Sequence, residues 1–266
     1  MAKPAGFWRS NWPKLFVALV LTFASGSVDI VGYLGIYHFF TAHLTGTTVQ
    51  LGHNAIAKNR LDVISAAAIL AAFLIGSVCG RIIIEIGSRR RIRSIASVTL
   101  AIEILILVSV AYAVSSLLHN SQAPLANSGN PYWALALLSV AMGIQTATLT
   151  RIGPLTVHTT FVTGMVNKLA QLVSHIAFRT YDLLHGCHGV EKVRHARRSD
   201  IQKAAFLFAV WAFYAGGAMA GTLSFARWGV HALALPAVLM LLAIFTDQAF
   251  PLSTQEEEEE KEALGP

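Results

Sequence analysis

Six apolar runs, each about as long as a helix needs to cross roughly 30 Å of hydrocarbon, leave this chain few ways to fold. They lie at 15–39, 63–87, 95–117, 132–152, 204–226 and 230–250. Hydrocarbon offers backbone amides no water, so such runs fold as helices whose hydrogen bonds are internal. Charge is scarce, at 13% of the 266 residues, against roughly 25% in soluble domains. The expected class is an all-α polytopic protein of the lipid bilayer.

The formal net charge of +6 would suit nucleic acid, but the basic residues flank the apolar runs, where they orient helices. No nucleic-acid partner is expected. Lys3, Arg9 and Lys14 precede the first run, and Arg89, Arg90, Arg91 and Arg93 divide the second from the third. Lys192, Arg194, Arg197, Arg198 and Lys203 fall in 185–203, whereas 118–131 has neither Lys nor Arg. Cytoplasmic loops carry the excess of such residues. Six crossings, with both termini cytoplasmic and 118–131 outside, satisfy every cluster. Eight crossings, with 41–60 and 163–184 also spanning, would put the N-terminal tail and the Arg89–Arg93 cluster on opposite faces. The preferred arrangement leaves Lys58 and Arg60 outside.

The chain then divides into a cytoplasmic interfacial lead at 1–14, membrane repeat one at 15–117 and an external linker at 118–131. Repeat two follows at 132–250, with a basic cytoplasmic loop at 185–203, and then an acidic tail at 251–266. Phe7, Trp8 and Trp12 suit the headgroup level. The first run is too long for the core of a cleaved signal and reads as a retained span. In the tail, Glu256–Glu260 repel one another and stay unfolded.

Each half reads as span, Thr-Gly segment, span, span. The segments are Phe39–Gln50, containing Thr45-Gly46, and His158–Asn167, containing Thr163-Gly164. Three spans per half is an odd number, so the halves insert as inverted repeats, each with a broken or re-entrant segment after its first span. Gly76 and Gly80 in the second span match Gly217 and Gly221 in the fifth. Both are Gly-x-x-x-Gly ridges that let helix backbones approach closely, and a homodimer through them is compatible with the pattern.

Polar residues inside the spans mark candidate chemistry, because a charge near the bilayer centre costs several kcal/mol unless paired, protonated or hydrated. Asp29 lies midway along the first span, and Gln145 is its rough counterpart in the fourth. Glu103 lies about 15 Å deep and could relay a proton or charge, with His175 as a second relay; a buried partner for Arg81 would explain Glu103 equally well. Arg81 and Glu85, spaced i, i+4, read as a local pair. Thr45 and Thr163 suit helix N-caps, which would leave the opening amides and positive dipole end of each helix free for an anion or polar group. Broken segments at corresponding places in inverted halves are the pattern of secondary transporters.

A stripe of Thr47, Gln50, Asn54 and Lys58 follows the first segment. After the second, with Asn167 at its edge, comes Lys168, Gln171, His175, Arg179 and Asp182. The second stripe reads equally as a cavity lining or as the polar face of an interfacial helix; the first, shorter and less charged, reads rather as a cavity lining. The ten histidines include His38, His43, His53 and His158 near the segments, and His185 and His188 flank Cys187. None has a dependable ligand spacing, so no metal and no cofactor are expected. His43 is the best single candidate for a proton-linked role, its ordinary pKa lying near neutral.

At Gly26-Ser27-Val28-Asp29, Thr41-Ala42-His43-Leu44-Thr45-Gly46, Gly143-Ile144-Gln145 and Thr160-Phe161-Val162-Thr163-Gly164, the chain resembles the YoaK-like family, also described as domain of unknown function 1275. The likeness covers about 15–250. It implies a bacterial inner-membrane protein of about six spans, without an assigned substrate. That family usually has Asn after the first Thr-Gly, where this chain has Thr47.

Three functions fit these residues. The first is a secondary transporter or permease for a small solute or ion, with its site at the repeat interface among Asp29, His43, Thr45, Gly46, Gln50, Gln145, Thr163, Gly164 and Asn167. The second is a non-transporting scaffold or partner subunit. The third, an intramembrane lipid-modifying enzyme, requires His43 and Asp29 within hydrogen-bond reach; the leading expectation is not an enzyme.

Overall fold

A helix satisfies its own amides, and every apolar run here becomes one. The computed structural model describes residues 11–36, 38–120, 132–148, 151–152, 155–156, 162–186 and 189–252. In chain order the first helices are α1 (Trp12–Gly35), α2 (Leu44–Ile56), α3 (Arg60–Arg89) and α4 (Ile95–Asn120). Then come α5 (Tyr132–Thr148), α6 (Val162–Leu184), α7 (Val190–Trp228) and α8 (Ala234–Ala249), with a 3-10 turn at Gly229–Leu233 before α8. After α5, Arg151–Ile152 and Leu155–Thr156 pair antiparallel. Trp12–Gly35, Arg60–Arg89, Ile95–Leu117 and the α7–α8 stretch Val190–Ala249 are long and apolar enough to cross a membrane; Tyr132–Thr148 is apolar but shorter.

Several boundaries differ from the sequence reading, each for a local reason. The first helix stops at Gly35 rather than 39, because the chain beyond it turns back toward α1. The fourth stops at Thr148 rather than 152. Pro154 disfavours helix at the residue before it, and the short strand pair takes over. Most of the expected loop 185–203 is helix: α7 starts at Val190 and runs unbroken to Trp228. Its first turns are good helix formers, with Glu191 and Arg194 paired at 3.9 Å. Glu85 pairs with Arg89 at 2.7 Å rather than with Arg81. Trp12 packs edge-on against Phe250, ring centres 5.0 Å apart. Phe7, Trp8 and the tail beyond Leu252 lie outside the described residues.

Glycine sets the packing. α1 packs against α7 and α8, α5 against α3 and α4, and α4 against α8; α2 lies along α3 and α6 along α7. A Cβ on Gly217 would stand 2.0 Å from the Phe23 carbonyl oxygen, and one on Gly26 would stand 2.2 Å from that of Tyr214. In the other pair, Gly76 would meet the Val140 carbonyl oxygen at 2.2 Å and Gly143 that of Phe73 at 2.3 Å. Gly221 abuts Ser27 and Ile30 just as Gly80 abuts Ile144 and Ala147. In both pairs the contacts advance in the same direction along the two helices, so each pair runs parallel. All four ridge glycines are used inside the chain, so a second copy would need another face.

The ends are tied as well. Asp247, buried near the end of α8, accepts the Ser97 amide at 2.9 Å and the Ser97 hydroxyl at 2.7 Å through Oδ2, and the Leu252 amide at 3.0 Å through Oδ1. It thereby satisfies an opening amide of α4, which no carbonyl of that helix can reach. Lys14, Arg89 and the start of α4 share this end, the basic end of the bundle.

Gly217→Ala is expected to cost about 1–3 kcal/mol through overpacking. Gly46→Ala, where an added Cβ meets nothing within 4 Å, should instead gain up to about 1 kcal/mol of helix propensity. Thermal unfolding of the purified variants compares them, and equal melting points would refute the glycine contacts as the packing constraint.

Candidate functional site

Asp29 lies on α1, two turns before the helix ends, and faces the parallel helix α7. Beyond Gly35 the chain folds back along α1 until Thr41 and Ala42 reach the Asp29 carboxyl. Their backbone amides both donate to Oδ1 at 2.9 Å, joined by the Thr41 hydroxyl. The Tyr214 hydroxyl of α7 donates to Oδ2. His43 Nδ1 stands 3.5 Å from the same oxygen. Asp29 is 2% exposed, so every contact it makes is shielded from water and correspondingly strong.

The ring of His43 lies between Phe40, centres 5.0 Å apart, and Tyr214, at 6.0 Å. Tyr33 stacks on the other side of Phe40 at 4.7 Å. The imidazole therefore has one edge on a buried carboxyl and one toward the outside, its side chain 42% exposed. The hydrogen bond to Asp29 raises the His43 pKa above its ordinary 6.5; burial works against that shift, and the Asp29 charge adds to it.

The Thr-Gly residues do not cap their helices. α2 starts at Leu44, with His43 at the cap position and no side-chain cap bond. Thr45 is already inside the first turn, so its hydroxyl is not placed to cap. Carbonyl bonding in α2 starts at the Thr47 amide, which donates to His43 at 3.0 Å; the amides of Leu44, Thr45 and Gly46 precede it and have no helical partner. Thr163 is likewise the second residue of α6. Thr45 and Gly46 are exposed, Gln50 and Gly164 half-buried, and Thr163 and Asn167 exposed.

Of the other candidates, Gln145 does not join Asp29. Its Nε2 donates to the Leu21 carbonyl and the Ser25 hydroxyl, each at 2.8 Å, one turn earlier on α1. When the glycine contacts of the two helix pairs are matched, Gly26 with Gly143, Asp29 falls opposite Thr146 rather than Gln145, and Tyr214 falls opposite Phe73. The polar centre thus belongs to one pair only. Glu103 is buried in α4, whereas His175 is exposed on α6, a helix packed on α7. In the second stripe, Arg179 is ion-paired with Asp200 of α7. Thr41, Ala42 and Tyr214 were missed by sequence reasoning. Tyr214 carries one signal, a hydroxyl three residues before Gly217 on the same ridge. Among the described residues no group of three His, Cys, Asp or Glu side chains could hold a metal; His158, Cys187 and His188 lie outside them.

Asp29→Ala strands two buried amides at about 1–3 kcal/mol each and is expected to unfold the 36–43 turn. Asp29→Asn keeps an acceptor for the amides and offers an N–H to Tyr214, so it should fold. Because the folded pKa of His43 is raised, its contribution to stability is full below about 6.5 and is lost as pH rises through the folded value. NMR titration of the His43 ring should give a midpoint above 6.5 that falls in Asp29→Asn; an unchanged midpoint would refute the contact.

The sequence profile of the family described as Protein of unknown function (DUF1275) matches residues 17–246. The UPF0700 transmembrane protein YoaK of Bacillus subtilis (strain 168) is 31% identical over 157 residues, which are 58% of this chain and 65% of that protein. The match thus spans slightly less than two thirds of the relative. No solved structure matches the chain. The apolar helices, the transmembrane relative and a family profile running from the first apolar run to the last agree: the chain belongs to the YoaK-like DUF1275 family and is a helical membrane protein.

Proposed function

We propose that this protein is a secondary transporter or permease for a small solute or ion, built from six spans in two inverted three-span repeats. The repeat reading rests on the equivalent glycine contacts of α1–α7 and α5–α3, and on the equivalent placing of α2 on α3 and α6 on α7. The basic clusters support both termini on the cytoplasmic side of a bacterial inner membrane.

One observation carries the reading: the two Thr-Gly helices begin at mid-depth and run out toward opposite ends. α2 starts beside Asp29 and Tyr214 and runs toward the far end of α1. α6 is antiparallel to α7, pinned by Arg179 on Asp200 and by Arg197 on the Thr180 hydroxyl. Thr163 lies about 24 Å along α6 from Arg179, and Tyr214 about 21 Å along α7 from Asp200. The start of α6 is therefore level with Tyr214, and its far end reaches the basic end. Half-helices whose positive ends open at the same depth are the type of element used in secondary-transporter sites. His43, with one edge exposed and one on Asp29, is the group suited to couple a proton to the solute.

The partner-subunit reading draws on one fact, that both Asp29 oxygens are already bonded within the chain. The lipid-modifying reading draws on the 3.5 Å between His43 and Asp29. Proteoliposomes holding an entrapped pH-sensitive dye, challenged with panels of small solutes and monovalent ions, separate them. Wild-type protein should give a solute-dependent proton flux, and folded Asp29→Asn should lose it. Flux that ignores Asp29 would remove this centre from the site, and no flux with any solute would leave the partner-subunit reading standing.

A further inference from the structure

Away from the Asp29 centre, one carboxyl has no bond at all. Both oxygens of Glu103 are buried and without a hydrogen-bond partner among the described residues, and the side chain is 0% exposed. It stands about 12 Å along α4 from Ile95, on the face that also buries Leu100, Leu107 and Val110. An ionised carboxylate in such surroundings costs several kcal/mol even after relaxation, so this position demands a proton or a bound cation.

Among the described residues no charged group on the elements packed against α4 bonds Glu103. Those elements carry Tyr132 on α5, Asp247 on α8, His231 on the 3-10 turn, and Arg60, Asp62, Cys79, Arg81, Glu85 and Arg89 on α3. None of them bonds a Glu103 oxygen. Asp247 is occupied by Ser97 and Leu252, and Glu85 by Arg89. A bound metal cation would want several oxygen ligands, and here one carboxyl stands alone, which leaves the proton.

Buried hydroxyls lead to Glu103 from the basic end. Ser97 is bonded to Asp247. Within the next turn the Thr148 hydroxyl of α5 donates to that of Thr99 at 2.9 Å. Glu103 follows Thr99 by one helical turn, about 6 Å. Thr99 and Glu103, four residues apart, share one face of α4, whereas Ser97 is turned to α8. We propose that Glu103 is a proton-binding site of the bundle interior, loaded from the basic end past the Thr99–Thr148 hydroxyl pair. Loading joins one proton to one Glu103 oxygen, and release returns it to water at that end; no other bond changes.

The site stands apart from the transporter reading and is tested without transport. Dicyclohexylcarbodiimide, an apolar reagent that modifies protonated carboxyls, is applied to the full chain in lipid nanodiscs across a pH series. Peptide mapping should find the adduct on Glu103 of the wild type, rising as pH falls and lost in Glu103→Gln. Because the wild type is read directly, the result does not depend on the variant folding. No adduct at Glu103 would overturn the proposal. So would labelling that does not change with pH, since a permanently neutral structural acid behaves that way. For the path, the infrared band of the Glu103 acid should exchange in heavy water more slowly in Thr99→Val; an unchanged rate would overturn the route.

Discussion

The closest contacts in this protein are between backbones. Lipid tails are as apolar as leucine, so transmembrane helices gain little by hiding apolar side chains and associate through close packing and hydrogen bonds. Gly26 and Gly217 bring α1 and α7 so near that a single added carbon would sit 2.0–2.2 Å from a carbonyl oxygen. That approach also fixes the register of the polar centre. The Tyr214 carbonyl meets Gly26, and Asp29 is one turn further along the same face, so the Tyr214 hydroxyl comes within reach of its carboxyl.

Asp29 then determines the path of the chain after α1. A polar loop at this depth must have its amides covered. Two consecutive amides and a hydroxyl converge on Oδ1, which holds 41–43 against α1 and starts α2 below the end of the span rather than beyond it. In the α5–α3 pair, with the glycines matched, Thr146 and Phe73 stand where Asp29 and Tyr214 do. Arg179 and Asp200 instead hold α6 to α7 from the other end. The helices α2 and α6 are thus secured by different chemistry.

Some residues announced this in the sequence and some did not. Asp29 and His43 stood out because charge and imidazole are costly or unusual beside an apolar run, and they meet. Gly76, Gly80, Gly217 and Gly221 were legible as ridges, and each is a point of backbone contact. Thr45 and Thr163 looked like caps from residue type alone, but cap geometry depends on where the chain first turns helical, and the Asp29 latch moves that point to Leu44. The basic stretch 190–203 looked like a loop because it is polar. Docking against α6, with Arg179 on Asp200, makes it a helix.

The sequence by itself determined the class, the helices and the polar residues that had to be answered for, because burial length and the cost of bare charge are properties of the residues alone. Only the tertiary structure decided which partner answers each one. Tyr214 lies nearly two hundred positions from Asp29, and nothing local joins them. The glycine contacts between α1 and α7 do, since backbone approach sets the register in which distant side chains meet.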